Sequence, residues 1–248
     1  LPIFAITGRN MTPEQQFVLE AMGVTPLWHS RHAPPIAATA VPIPPAAIVS
    51  DTTALTAAPA VATVAPVIAW ESLQQQVQQC QKCGLAQTRS QTVFSRGSTQ
   101  AKWMIIGEAP GEQEDKQGLP FVGPAGKLLD AMLHAIGLDR EQDVLIANIL
   151  KCRPPGNRNP QPAEIAACFS YLEAQIDYVK PAIVIALGRF AAQTLLETDS
   201  AISRLRGRVH RWRDIPLVVS YHPAYLLRNL PDKARAWEDW CLAREVMS

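Results

Sequence analysis

The sequence predicts an α/β fold, a mainly parallel four-stranded sheet with helices on both faces. Three observations carry this. Short apolar runs alternate with longer amphipathic stretches from Trp103 to Met247, the pattern of strands buried on both faces and separated by crossover helices. Each run is followed by glycine, proline or polar residues, the punctuation expected at strand ends. The length of 248 residues suits one domain of up to about 200 residues plus an appendage.

The N-terminal part is the appendage. The first ten residues are apolar but lack the basic start and cleavage pattern of a secretory leader, and Met11 is a candidate initiator. Thr12-Pro13-Glu14-Gln15 has the form of a helix start, with Thr12 as cap, Pro13 at the first helical position and Gln15 placed to close a capping box. Phe17, Val18, Ala21 and Met22 would share one face before Gly23 stops the helix. A helix this short needs something to dock on. Residues 1–32 are therefore read as an extension. Residues 33–69 are read as an Ala/Pro-rich linker, because Asp51 is the sole charge between Ala33 and Trp70 and the stretch has no period. Its prolines, Pro34, Pro35, Pro42, Pro44, Pro45, Pro59 and Pro66, exclude a continuous membrane-spanning helix.

Residues 70–248 are read as the catalytic domain. Expected strands are Trp103–Gly107, Val144–Ile149, Ala182–Leu187 and Leu217–Ser220; expected helices are about Pro124–Ile136, Pro162–Val179, Arg189–Glu197 and Lys233–Met247. In such sheets ligands bind beyond the carboxyl ends of the strands. The unusual polar residues fall there. Gly107-Glu108-Ala109-Pro110-Gly111 follows the first strand, Asn148 closes the second, Gly188 follows the third and His222 the fourth.

Net charge is +1, so no overall basic excess marks a polyanion partner and any nucleic-acid site must be local. Arg204, Arg206, Arg208, Arg211 and Arg213 crowd around Trp212; phosphate binding and a solvated edge strand with spare arginines are both open readings. Five cysteines at uneven spacing do not form a disulfide framework, which points to a reducing, cytoplasmic compartment. Cys80 and Cys83 are spaced C-x2-C, with Cys152 and Cys168 following. Four thiolates suit tetrahedral zinc or a cubane iron–sulfur cluster, and spacing does not choose between them. Cys241 reads as a small core residue.

The segments Gly107–Asp115 (GEAPGEQED), Pro120–Gly126 (PFVGPAG), Asn148–Pro155 (NILKCRPP) and His222–Asn229 (HPAYLLRN) closely resemble family 4 uracil-DNA glycosylases, from about Ser72 to the end. The resemblance implies a three-layer α/β/α sandwich and excision of uracil from single- or double-stranded DNA by a monomer. It also implies a 4Fe-4S cluster on Cys80, Cys83, Cys152 and Cys168. Carried over by position, Glu108 and Ala109 would offer backbone amides to a uracil carbonyl, with the Glu108 side chain near the attacking water. Phe121 would stack on the base, Asn148 would read its Watson–Crick edge, Glu114 would crowd the 5-methyl of thymine, and Asn157 would lie near the substrate. His222 would face uracil O2 as charge develops on the leaving base. Tyr225, Leu226, Leu227 and Arg228 would enter the duplex; on the phosphate-binding reading of the arginine stretch, and not from the resemblance, Arg206 and Arg208 would be DNA contacts. No histidine-bearing insert follows Cys152, so a covalent trap on uracil sites is not expected. The rival reading is a noncatalytic iron–sulfur DNA-binding replication or repair accessory protein. Separately, Gln16–Arg31 (QFVLEAMGVTPLWHSR) distantly resembles the start of the clamp-loader psi subunit, implying a replication partner docked through Phe17, Met22, Leu27 and Trp28.

Overall fold

The computed structural model describes residues 69–248; the helix expected near Thr12 and nearly all of the linker lie outside the described residues. In chain order the elements are α1 (Trp70–Gln78), β1 (Arg96–Gly97), β2 (Trp103–Gly107), α2 (Glu112–Gln117), α3 (Pro124–Ala135), β3 (Val144–Asn148) and α4 (Pro162–Val179). They continue with β4 (Ile183–Leu187), α5 (Arg189–Leu196), α6 (Ile202–Leu205), β5 (Val209–Trp212), β6 (Ile215–Ser220), α7 (Pro223–Leu226) and α8 (Asp232–Met247).

Local signals explain where the long helices begin and end. Pro124 opens α3 at its first turn, and Gly137, at φ +80°, ends the turn that follows it. A capping box between Gln161 and Glu164, with Pro162 at the first position, starts α4. Pro181 follows the left-handed Lys180 at its end.

The sheet has six strands in the order β1-β3-β2-β4-β6-β5. Its four central strands are parallel, as expected, and an antiparallel strand closes each edge. Of the two edge strands, β1, only two residues long, was not expected as a sheet member, whereas β5 matches the edge-strand reading of the arginine-rich stretch. Alternate residues of the central strands serve two cores: Met104, Ile106, Leu145 and Val184 pack with α1, α4 and α5. Trp103, Ile105, Ile146 and Ile185 pack with α3, α7 and α8. The result is the three-layer α/β/α sandwich. The connection from β2 runs to one side, to β3, while β4 lies on its other side. The carboxyl end of β2 is thus a topological switch point, the place where sheets of this kind bind their ligands. Among the described residues no helix is long and apolar enough to cross a membrane.

Candidate active site

Gly107 and Asn148 are paired in register at the ends of β2 and β3. The glycine is required by its neighbours rather than by its backbone angles. A Cβ there would lie 2.4 Å from Asn148 Oδ1 and 2.7 Å from Phe121 Cζ. The base-reading candidate and the stacking candidate therefore press on the same Cα. Asn148 is 2% exposed, and its Oδ1 is buried with no hydrogen-bond partner among the described residues. Leaving such an acceptor unpaired costs about 1–3 kcal/mol, so an unpaired one at a crevice marks a place where a ligand donates.

Phe121 sits at φ +53°, in the left-handed region that a bulky residue adopts only under constraint. The constraints are visible. Arg140 Nη2 donates to the carbonyls of Pro120 and Phe121 at 2.7 and 2.8 Å. Glu114 Oε1 accepts from the amides of Val122 and Gly123 at 2.9 and 3.1 Å. Gly126 lets α3 approach, since a Cβ there would meet the Phe121 carbonyl oxygen at 1.8 Å. So held, the Phe121 ring stacks on His222 with centroids 5.4 Å apart and planes at 27°. Phe121 thus lies between Asn148, across Gly107, and His222. Arg140 was missed, because it stands fourteen residues beyond the PFVGPAG segment it supports and a lone arginine carries no motif.

His222 caps α7, its Nδ1 accepting from the Ala224 amide at 3.1 Å. An accepting Nδ1 is unprotonated, so the proton of the neutral ring resides on Nε2. Burial, helped by the positive charge of Arg228 and opposed by Glu114, pushes its pKa down to about 4. Beside it, the loop after β2 holds Glu108, whose carboxyl is pushed above its ordinary value by burial and drawn back by Arg189. The Glu108 and Leu150 backbones bond through the Glu108 carbonyl, while the amides of Glu108 and Ala109 donate no hydrogen bond to backbone or side chain among the described residues. Two donors at the switch point are left for a ligand. Asn157 stands apart: it lies in an exposed turn, with its amide oxygen bonded by Arg153 Nε at 2.7 Å.

The four cysteines come together on the other side of β3. Cys80, Cys83, Cys152 and Cys168 line one pocket with Arg89, Lys151 and Tyr171. Arg89 Nη1 donates to Cys152 Sγ at 3.0 Å, and the Lys151 amide donates to Cys168 Sγ at 3.3 Å. Burial pushes the Cys152 thiol up to about 11 and Cys168 in the same direction, so these sulfurs need nearby positive charge to ionise. Arg89 and Lys151 supply cations without a carboxylate between them and the sulfurs. That donor set fits an anionic, thiolate-ligated centre. The four thiols line one pocket, but among the described residues no three His, Cys, Asp or Glu side chains are placed to hold a metal ion as they stand. Cys241 lies elsewhere, on α8.

The expected DNA-contacting loop is divided. Leu226 is fully buried, packed in the α3 and α8 core, whereas Leu227 is 42% and the unanticipated Leu230 57% exposed. Tyr225 stacks on Tyr221 and donates to Asp232. The arginines divide as well. Arg206 is committed to the buried Asp239 at 2.7 Å and lies over the Tyr221 ring. Arg213 pairs with Glu173 and Asp177. Because Val209 pairs with Val218 and Trp212 with Ile215, Arg208 lies at the crevice end of β6 and Arg213 at the opposite end. Arg204 and Arg208 are exposed there, and Arg208 Nη2 reaches only the Arg204 carbonyl.

Comparison with known proteins identifies the family of this domain. Residues 94–241 match the model of the uracil DNA glycosylase superfamily. A type-4 uracil-DNA glycosylase of Sulfurisphaera tokodaii is 43% identical over 185 residues, covering 71% of this chain and 84% of that protein. The corresponding proteins of Archaeoglobus fulgidus and Thermotoga maritima are 44% and 41% identical, covering 63% and 66% of this chain and 82% and 86% of theirs. Matched by the superfamily model over most of the described domain, and by relatives over nearly all of their own length, this chain belongs to the uracil-DNA glycosylase superfamily, among its type-4 members.

Proposed function

We propose that this chain is a monofunctional uracil-DNA glycosylase, which flips uracil out of DNA and hydrolyses its N-glycosidic bond to leave an abasic site for base excision repair. The observation that carries most weight is the meeting of Asn148, Phe121 and His222 around Gly107, with the Asn148 amide oxygen buried and unpaired. An extruded pyrimidine stacked on Phe121 can donate N3–H to that oxygen and accept at O4 from the amide nitrogen. Cytosine reverses both groups. Each mispaired buried group costs about 1–3 kcal/mol, which makes polar mismatch a stronger filter than shape. Glu114 stands where it can crowd a 5-methyl group while its other role, holding the Phe121 loop, is already visible. Asn157 is assigned to the rim.

Cleavage of the C1′–N bond leaves positive character on the sugar and negative charge on the base. The Glu108 and Ala109 amides and the Nε2–H of neutral His222 stabilise that base anion, in a site where each hydrogen bond counts for more than in water. The Glu108 carboxylate orients the water that attacks C1′ and takes its proton. Cys80, Cys83, Cys152 and Cys168 would hold a 4Fe-4S cluster; the gathering of the four thiols in one pocket with Arg89, and the likeness to type-4 uracil-DNA glycosylases, support this. When bound, it supplies covalent cross-links between the end of α1, the loop after β3 and α4. Outside the pocket, exposed Leu227 and Leu230 would wedge the duplex, and Arg204, Arg208 and Arg228 would hold phosphates. The enzyme would act as a monomer in the reducing cytoplasm, where unpaired thiols persist.

An oligonucleotide bearing one uracil, treated with the protein and then with alkali, tests the reading in single- and double-stranded form. Strand scission is expected with the native chain. Asn148→Ala should lower the rate about 10- to 1000-fold and blunt selectivity over cytosine, the range given by losing about 1–4 kcal/mol of contact. A native chain without scission, folded and carrying iron, would point instead to a noncatalytic DNA-binding accessory protein. For the N-terminal extension we propose a clamp-loader partner; capture of the chi subunit by residues 1–32 tests it, and no capture beside a competent control removes it.

A further inference from the structure

We propose that Lys151 is a positioning residue that ties the cysteine centre to the base-reading amide of Asn148. This rests on the glycosylase reading above. Lys151 is 1% exposed, and its ammonium donates to the Asn148 carbonyl at 2.8 Å and to Gln175 Oε1 at 2.5 Å. Gln175 is itself fully buried and donates to the Phe94 carbonyl at 3.2 Å. The same lysine's backbone amide bonds Cys168 Sγ at 3.3 Å, and the next residue is Cys152. One residue therefore touches the reader, the Cys168 sulfur on α4 and, through its carbonyl, the Val93 amide in the segment before β1.

Economy of stability does not explain a cation here. A buried charge costs several kcal/mol, and a shape-matched apolar side chain is often neutral or stabilising in its place. No carboxylate pairs with Lys151 among the described residues; its ammonium bonds a carbonyl and an amide oxygen, and the sulfur is met by its backbone amide. What only an ammonium does is grip the Asn148 carbonyl and so set the plane in which that residue leaves β3. A rotation of the main chain at Asn148 swings the amide that must meet the Watson–Crick edge. The cysteine centre holds the lysine, and the lysine holds the reader.

Lys151→Met tests this in the iron-loaded full chain. Iron content, visible absorption and melting temperature should match or exceed those of the native protein, with KM for uracil-containing DNA within about twofold and kcat lowered about tenfold or more. Adding Asn148→Ala should then cost less than it does alone, because both changes act on one contact. Unchanged kcat, or a fully multiplicative double variant, overturns the proposal. If Lys151→Met fails to retain iron, Gln175→Leu, which removes one acceptor and keeps the cation, should lower kcat severalfold at native iron content; unchanged kcat there overturns it equally. A native chain that releases no uracil would defeat the glycosylase reading itself, whereas native turnover with indifferent variants defeats only this inference.

Discussion

At Gly107 a single methyl group separates a working pocket from a blocked one. Ala is conformationally tolerable there, but its Cβ would displace both the Asn148 oxygen and the Phe121 ring. Gly107→Ala is expected to lower kcat/KM by at least about 100-fold, equal to some 2.7 kcal/mol of transition-state stabilisation, with retained iron and circular dichroism. A near-native rate in steady-state assays would show that the two side chains do not share that site. The neighbouring histidine makes a claim about pH. With its folded pKa near 4 and an unfolded value of about 6.5, His222 stays neutral while the unfolded chain takes up a proton. The corresponding stability is complete above about pH 6.5 and is lost as pH falls toward 4. Catalysis by the neutral ring gives no rise in rate over that window. The acid limb of kcat should instead follow Glu108, lie above the ordinary carboxylate range because burial raises it, and vanish in Glu108→Gln. A rate that climbs as pH drops through 6 would mean that the imidazolium is the catalyst.

Elements decide how firmly these residues are held. The loop between α2 and α3 carries Phe121 in a left-handed conformation and is gripped from both sides, by Glu114 of α2 and by Arg140 from the turn before β3. Arg140 also pairs with Asp130 of α3 at 2.5 Å, so one guanidinium joins the loop to the helix that follows it. Arg140→Leu should destabilise the fold by about 2–4 kcal/mol, since charge-assisted bonds are worth about 1.5–3 kcal/mol each and two carbonyls are left unpaired. It should raise KM more than it lowers kcat, because the stacking face is lost before the catalytic groups move. Urea denaturation and steady-state kinetics read the two effects separately. The loop after β6 shows the same economy: α7 buries Leu226 and turns Leu227 outward, so only the last two members of the YLLR segment, Leu227 and Arg228, are exposed to meet DNA.

For the molecule as a whole, the two faces of the sheet have different supports. The α3, α7 and α8 face is a dry apolar core built around Leu129, Met132 and Trp240. The α1, α4 and α5 face contains the four cysteines and two cations. Removing iron with a chelator under reducing conditions should leave buried sulfurs without their cross-links and lower the melting temperature by several degrees or more, as loss of a structural metal does. Far-ultraviolet circular dichroism on heating checks this. A melting curve that does not move on iron removal would make the centre dispensable for the fold.

The amino-acid order alone determined the parallel core, because strands buried on both faces must be written as continuous apolar runs and helices beside them as period-3.6 stretches. It also determined which segments meet, since the carboxyl ends of parallel strands necessarily share one edge. Local chemistry did not reveal β1 and left β5 as one of two readings, because edge membership depends on partners elsewhere in the chain. Nor did it reveal that Arg206 is spent on Asp239 rather than on phosphate, or that Lys151 and Arg140 brace the pocket. The tautomer of His222 was decided in three dimensions, by an amide two residues on donating to Nδ1. Patterns report which surfaces a segment must bury; which partner each polar group then finds is settled only when the layers are packed together.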